Sequence, residues 1–227
     1  MAKTRTYHHF CPVARSLEVI GEKWSLLIVR DLLMGPQRFT DLARYLGKIT
    51  PKWLTLRLRD LEAAGIVERE SQPGRREVWY RLTARGQELR PVVEALAVWG
   101  LDHAIRPPLP GEPVHPERAL QTMTIFRNRR NVRLQRPARW SVRFAGDGVY
   151  TLVYDGARWS YHAGEEAADL VVETTPEDWV NFLLAPAAER AARARSLVIS
   201  GDETRLADFH RSFDARDASS SDALGSA

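Results

Sequence analysis

The sequence predicts an α+β protein made of two unlike parts, and three observations predict it. From Trp24 to Leu61 apolar residues recur at helical spacing between recognisable caps, and two strand-like runs lie on either side of Pro73-Gly74. Residues 106–116, RPPLPGEPVHP, hold five prolines and one glycine, which neither a regular helix nor an inner strand accepts. Beyond them the pattern becomes short alternating runs separated by Gly and Asp turns. A chain of 227 residues is long enough for two cores. The expected organisation is a first domain at 1–106, a Pro-rich linker at 107–120, a second domain at 121–214 and a disordered polar tail at 215–227.

In the first part, EKWSLLIVRDLLMGP is apolar nearly all round, so it belongs at the centre of a domain. Gly35-Pro36 ends it, the glycine tolerating a left-handed turn and the proline refusing to continue the helix. RFTDLARYLG is a short second helix, with Thr40 as its expected cap, Phe39 packed just ahead of the cap, and Gly47 at its close. Thr50 caps the next helix and Pro51 takes its first position, where a missing N–H costs nothing. Two helices joined by a turn of about four residues form a helix-turn-helix.

The second of these helices lies in ITPKWLTLRLRDLEAAGIVERE. Leu54, Leu58 and Leu61 make its buried stripe, and Gly65 stops it. Its opposite face carries Lys52, Leu56, Arg59 and Ala63, flanked by Trp53 and Thr55. A solvated surface is the ordinary explanation of such a face, but the neighbouring segments suggest another. IVERE and EVWYRL alternate as strands, and SQPGRR between them sets Arg75 and Arg76 at the tip of a turn. Three helices, a strand, a basic turn and a strand make a winged helix, with the helix from Pro51 as the reader of the major groove. Thr83 then caps ARGQELRPVVEALAVWGLDHAI, in which Pro91 requires a kink or a new start. Its stripe of Leu89, Val92, Val93, Leu96 and Trp99 exceeds what so small a domain can cover, which favours a homodimer.

Residues 7–103 resemble the HxlR-type winged-helix regulators. The resemblance is carried by Cys11-Pro12, Lys23-Trp24, Gly35 to Phe39, Thr50-Pro51-Lys52, Leu54 to Leu61, Gly65 and Tyr80 to Thr83. It implies a homodimer on a palindromic stretch of double-stranded DNA, repressing or activating nearby genes. Resemblance and helix geometry together make Lys52 and Arg59 the candidates for the major groove. Thr50 is placed to meet a phosphate, and Thr55 and Leu56 to touch bases or a thymine methyl. Arg57, nearer the buried stripe, bonds either a phosphate or a neighbouring acid, and Arg75 and Arg76 are the candidate wing contacts. Two-fold symmetry would set the reading helices about 34 Å apart.

Charge distribution agrees with a polyanionic partner. Residues 1–106 carry 18 Lys plus Arg against 12 Asp plus Glu, whereas 107–227 carry 15 against 17. Cys11 is the only cysteine, which excludes an internal disulfide and a zinc finger. It is either an inert half-buried residue or a redox-sensing thiol, and cysteines at the matching position sense oxidants or electrophiles in some of the relatives resembled. His8, His9 and Cys11 are too few and too near the chain end to assign a metal. No apolar run suits a membrane span or a signal peptide, and a cytoplasmic protein is expected.

In the second part, WSVRFAG, GVYTLVYDG, RWSYHAGE, ADLVVETT and SLVIS read as strands. TPEDWVNFLLAP reads as a helix capped by Thr175, AAERAARARS is helical in composition, and GDETRLADFHRSFD is a further capped helix. YTLVYDGARWSYHAG, ADLVVETTPEDWVNFL and LVISGDETRLADF resemble a sterol-carrier-protein-like domain, over roughly 121–214. That resemblance implies an open sheet packed with helices around a cavity for a small apolar or amphipathic ligand. Trp140, Phe144, Tyr154, Trp159, Tyr161, Trp179 and Phe182 either line such a cavity or simply fill the core. Between Arg118 and Gly146 stand eight arginines and no acid. They read as one exposed strand face, as extra phosphate contacts, or as a pocket mouth that accepts a carboxylate. No paired nucleophile and base, phosphate-cradling glycine loop or metal spacing is present, so neither an enzyme nor a cofactor is expected. The whole is a DNA-binding regulator, modulated either by a ligand in the second domain or by Cys11.

Overall fold

The computed structural model describes residues 6–71 and 77–213. Arg75, Arg76 and the expected tail at 215–227 lie outside the described residues. The chain divides into two compact units, Met1–Ala95 and Leu96–Ala227.

The first unit opens with α1 (Pro12–Ile20), a helix the sequence patterns did not announce. Glu18 ties the preceding segment to it: its carboxylate accepts hydrogen bonds from Arg15, from the Tyr7 N–H and from the Thr6 hydroxyl, at 2.8–2.9 Å. In that order of strength these bonds hold the carboxyl down at about 2. The central helix, α2 (Ser25–Leu32), starts later than its apolar run suggests. Trp24 sits at φ 82, a left-handed conformation that a bulky aromatic rarely adopts, and the helix can begin only after it. α3 (Phe39–Leu46) is capped at Arg38, not at Thr40 as expected. The reason is tertiary. Gln37–Arg38 forms a short strand, β1, so the helix starts directly from the sheet, and Asp41 accepts the Arg38 N–H at 3.3 Å.

α4 (Pro51–Ala63) begins as its sequence indicates, with the Thr50 hydroxyl accepting the Trp53 N–H at 3.3 Å. It ends in a Schellman turn. The Ile66 N–H reaches the Leu61 carbonyl and the Gly65 N–H that of Glu62, each at 2.9 Å, with Gly65 at φ 68. β2 (Val67–Ser71) and β3 (Val78–Leu82) pair antiparallel, Val67 opposite Leu82 and Ser71 opposite Val78. β1 pairs on the other edge of β3, giving the order β1-β3-β2. Thr83 caps only the short α5 (Ala84–Gln87), and the chain restarts as α6 (Arg90–His103) with Pro91 in its first turn. Gly86 is required by packing, since a Cβ there would lie 2.2 Å from the Ile66 carbonyl oxygen. Ile28, Val29, Leu42, Leu54, Leu58 and Leu61 centre the core of this unit.

The division between units falls inside α6 rather than at residue 106, because Leu89 and Val93 join the first core while Leu96 and Trp99 do not. The expected linker is also shorter than 107–120. α7 (Pro116–Arg129) takes up its last residues, with Pro116 at the first helical position, where a proline starts a helix rather than breaking one.

The second unit is built on a five-stranded sheet of β4 (Ala138–Phe144), β5 (Gly148–Tyr154), β6 (Trp159–Ala163), β7 (Leu170–Thr174) and β8 (Val198–Gly201). Its order is β6-β5-β4-β7-β8, antiparallel except between β4 and β7, which run parallel. α8 (Pro176–Leu184), capped by Thr175, and α9 (Ala187–Arg193) connect β7 to β8, and α10 (Leu206–Arg211) comes after the last strand.

The eight arginines do not share one strand face. Arg118 and Arg127 are buried on α7; Arg130 pairs with Asp102, Arg143 with Glu165 and Glu173, and Arg136 approaches Asp208 at 3.8 Å. Among the described residues no helix is long and apolar enough to cross a membrane.

Candidate nucleic-acid interface and the carboxy-terminal core

Helix α4 is held from one side only. Leu54, Leu58 and Leu61 are buried in the first core, while Thr50, Lys52, Thr55 and Arg59 are exposed and Leu56 is half-buried. Neither Lys52 nor Arg59 is in an ion pair among the described residues, so both cations are available to an outside partner. Arg59 stands close enough to β3 for its charge, with that of Arg69, to oppose the upward shift that burial imposes on the Tyr80 hydroxyl. The outward side of α4 thus carries two cations and two threonines, with Leu56 half-buried among them.

Arg57 does not belong to that surface. It is only 7% exposed, and its guanidinium turns back to Asp60 at 2.9 Å and Glu22 at 3.6 Å. It also lies 5.6 Å from the centre of the Trp53 ring. An arginine so neutralised fixes the helix against the loop ahead of α2 instead of meeting a phosphate. Of the two roles open to it, the bond to a neighbouring acid is the one observed. Trp53 itself is half exposed beside the basic face, an aromatic to which the sequence alone assigned no role.

The stem of the wing is charge-paired. Arg81 meets Glu68 at 3.2 Å and Glu70 at 3.7 Å across the strands, and Arg38 meets Glu77 at 3.1 Å while covering the Trp79 ring at 4.8 Å. Arg69 and Lys48 are exposed cations that sequence patterns did not single out. Their signal was available in their positions, one on the first wing strand and one in the turn of the helix-turn-helix. The candidate contacts Arg75 and Arg76 lie outside the described residues.

The geometry of a helix-turn-helix with an attached hairpin is matched by sequence comparison. The HxlR-like helix-turn-helix family matches residues 19–107. The HTH-type transcriptional regulator sll1512 of Synechocystis is 41% identical over 95 residues, covering 41% of this chain and 70% of that protein. The chain belongs to the HxlR-like family. Bacillus subtilis YybR, also an HTH-type transcriptional regulator, is 42% identical over 93 residues, covering 40% of this chain and 73% of its own. Mycobacterium tuberculosis Rv3095 is 43% identical over 98 residues and is spanned over 60% of its length. Among solved structures, the redox regulator HypR in its oxidized form aligns over 42% of this chain and all of its own, at 39% identity and a TM-score of 0.41. The HxlR-like match runs from the end of α1 through α6, and the sheet of the second unit lies beyond it.

In that second unit the candidate ligand-binding aromatics are packed against one another. Trp140, Phe144, Tyr154, Trp159, Trp179 and Phe182 are buried, and only Tyr161 is half-buried. Trp140 lies 5.3 Å from Trp159, Phe144 meets Trp179 edge-on at 6.0 Å, and Phe182 stacks on Phe209 at 6.0 Å. At these distances aromatic faces and edges attract each other, and the rings belong to one aromatic cluster of the second unit. Burial raises the Tyr161 hydroxyl, Glu117 reinforces the shift and Arg118 opposes it. Cys11, the candidate redox residue, is a partly exposed free thiol at the residue preceding α1.

Proposed function

We propose that the chain is a transcriptional regulator that reads double-stranded DNA through α4 as a homodimer. The observation that carries this is the outward face of α4: Lys52, Thr55 and Arg59 exposed in succession, with both cations unpaired among the described residues. Its relatives' names as HTH-type transcriptional regulators support the same reading. Lys52 and Arg59 face base edges, Thr50 and the wing arginines Arg75 and Arg76 serve phosphates, and Thr55 and Leu56 adjust the fit. The dimer is supported by apolar side chains left in solvent, Phe10, Val13 and Leu17 at α1 and Val92, Leu96 and Trp99 along one face of α6. A second copy is the occupant that a palindrome requires.

Selection of bound duplexes from a random pool tests the reading. A two-fold symmetric consensus, bound as two chains per duplex with affinity falling steeply as salt rises, is expected. Recovery of no preferred sequence, or binding as a monomer, contradicts it.

The second unit, in this reading, is a sterol-carrier-like module that takes a small apolar or amphipathic molecule and shifts DNA affinity. Its open five-stranded sheet with helices packed against it supports this. The coupling requires that the ligand favour one dimer arrangement over another. A second reading, a switch worked by Cys11, is favoured by the partial exposure of that thiol beside the solvent-facing Phe10 and Val13. Cys11→Ser separates the two, since it abolishes a response to oxidant and leaves a response to ligand.

A further inference from the structure

Arg127, in the last turn of α7, is a buried cation without a carboxylate partner among the described residues. It is 2% exposed, and its Nε donates to the Ser212 carbonyl at 3.0 Å. Its guanidinium lies 4.8 Å from the Trp159 ring centre and 4.4 Å from that of Phe213. Both terminal nitrogens, Nη1 and Nη2, are buried and have no hydrogen-bond partner among the described residues. Desolvation by burial pushes its pKa down to about 9, and among the described residues no acid opposes the shift.

Two further buried donors stand around the same ring. Trp140 stacks on Phe213 at 6.2 Å and Trp179 meets it edge-on at 5.7 Å, and the Nε1–H of each also lacks a partner among the described residues. Buried polar groups in folded proteins are nearly always hydrogen-bonded. Here three side chains gathered about one phenyl ring bring only donors, with no acceptor among them. Cation–π contact with Trp159 and Phe213 attracts the guanidinium's charge but leaves the hydrogens of its two forward nitrogens unbonded. What these groups lack in common is an anionic acceptor, and their surroundings are aromatic.

We infer that the second unit binds an amphipathic carboxylate, whose two oxygens accept from the Arg127 fork while its apolar body lies among the surrounding rings. The inference rests on the proposed ligand-binding role of this unit and gives it a chemical class. A planar fork meeting a carboxylate makes two parallel charge-assisted bonds, and a dry site strengthens them.

The test uses the full chain and two probes with the same tail, decanoate and decanol, read by tryptophan emission and by thermal stability. Decanoate is expected to bind at least tenfold more tightly than decanol. Arg127→Met keeps the side chain's bulk and removes its charge, and is expected to bind the two probes within twofold of each other. Arg127→Lys, which keeps a point charge but not the fork, is expected to retain the preference at reduced affinity. It supplies the comparison should the methionine variant fail to fold. Equal affinity of the unaltered protein for decanoate and decanol would overturn the anion seat while leaving an apolar-ligand role standing. Retention of the full preference in Arg127→Met would overturn it too. Binding of neither probe would overturn both.

Discussion

Two arginines two residues apart on α4 have opposite fates, and variants separate them. Arg59 is exposed, so Arg59→Ala, like Lys52→Ala, is expected to leave folding intact and weaken operator binding by about 1–3 kcal/mol, roughly 5- to 150-fold, in fluorescence anisotropy. Arg57 is buried against Asp60 and Glu22, so Arg57→Ala is expected to lower thermal stability by about 2 kcal/mol, through lost packing and an unpaired Asp60. The helical period was enough to place Lys52, Thr55 and Arg59 outward, since a stripe of Leu54, Leu58 and Leu61 fixes the opposite face. It was not enough for Arg57 at the margin of the stripe, because its two acids come from different places, Asp60 from the same helix and Glu22 from a loop remote in sequence. The aromatics of the second unit posed a related limit. Alternation marks Trp140 and Trp159 as inward, but whether an inward ring meets a cavity or another ring depends on strands and helices that arrive later in the chain.

At the scale of elements, legibility tracked locality. Thr50-Pro51 and Gly65 announced the ends of α4, because capping and left-handed glycine are determined within a few residues. β1 has only two residues and no period to detect, and its pairing with β3 moved the start of α3 back from Thr40 to Arg38. α7 was hidden because Pro116 looked like the end of a proline-rich linker. The close approach of α5 to the β2 start makes a sharp prediction. Gly86→Ala is expected to destabilise the first unit by about 2–4 kcal/mol in denaturant unfolding, since its Cβ would meet backbone that cannot move aside. The anchoring of α1 makes another. The Glu18 carboxyl titrates at about 2 when folded against an ordinary 4.5, so its stabilisation is complete above 4.5 and is lost as pH falls from there towards 2. Hydrogen-exchange protection of the Tyr7 amide, which donates to that carboxylate, is expected to fall over the same window. Protection that does not change with pH would show that the bond does not hold the segment.

The molecule as a whole joins a family-type DNA-reading unit to a second unit with a separate aromatic core, in a chain whose net positive charge lies in the first. In the proposed reading, apolar side chains exposed on α1 and α6 serve association, the α4 surface serves recognition, and the core around Arg127 receives a signal. Recognition is the claim on which the other two depend. The measurement that tests it most directly is the ratio of dissociation constants on the selected operator and on a scrambled duplex, at one salt concentration, for the unaltered protein and for Arg59→Ala. The account predicts discrimination of at least about 10³ by the unaltered protein, reduced roughly tenfold or more by the variant. Equal binding of both duplexes by the unaltered protein, or discrimination unchanged in Arg59→Ala, would contradict it.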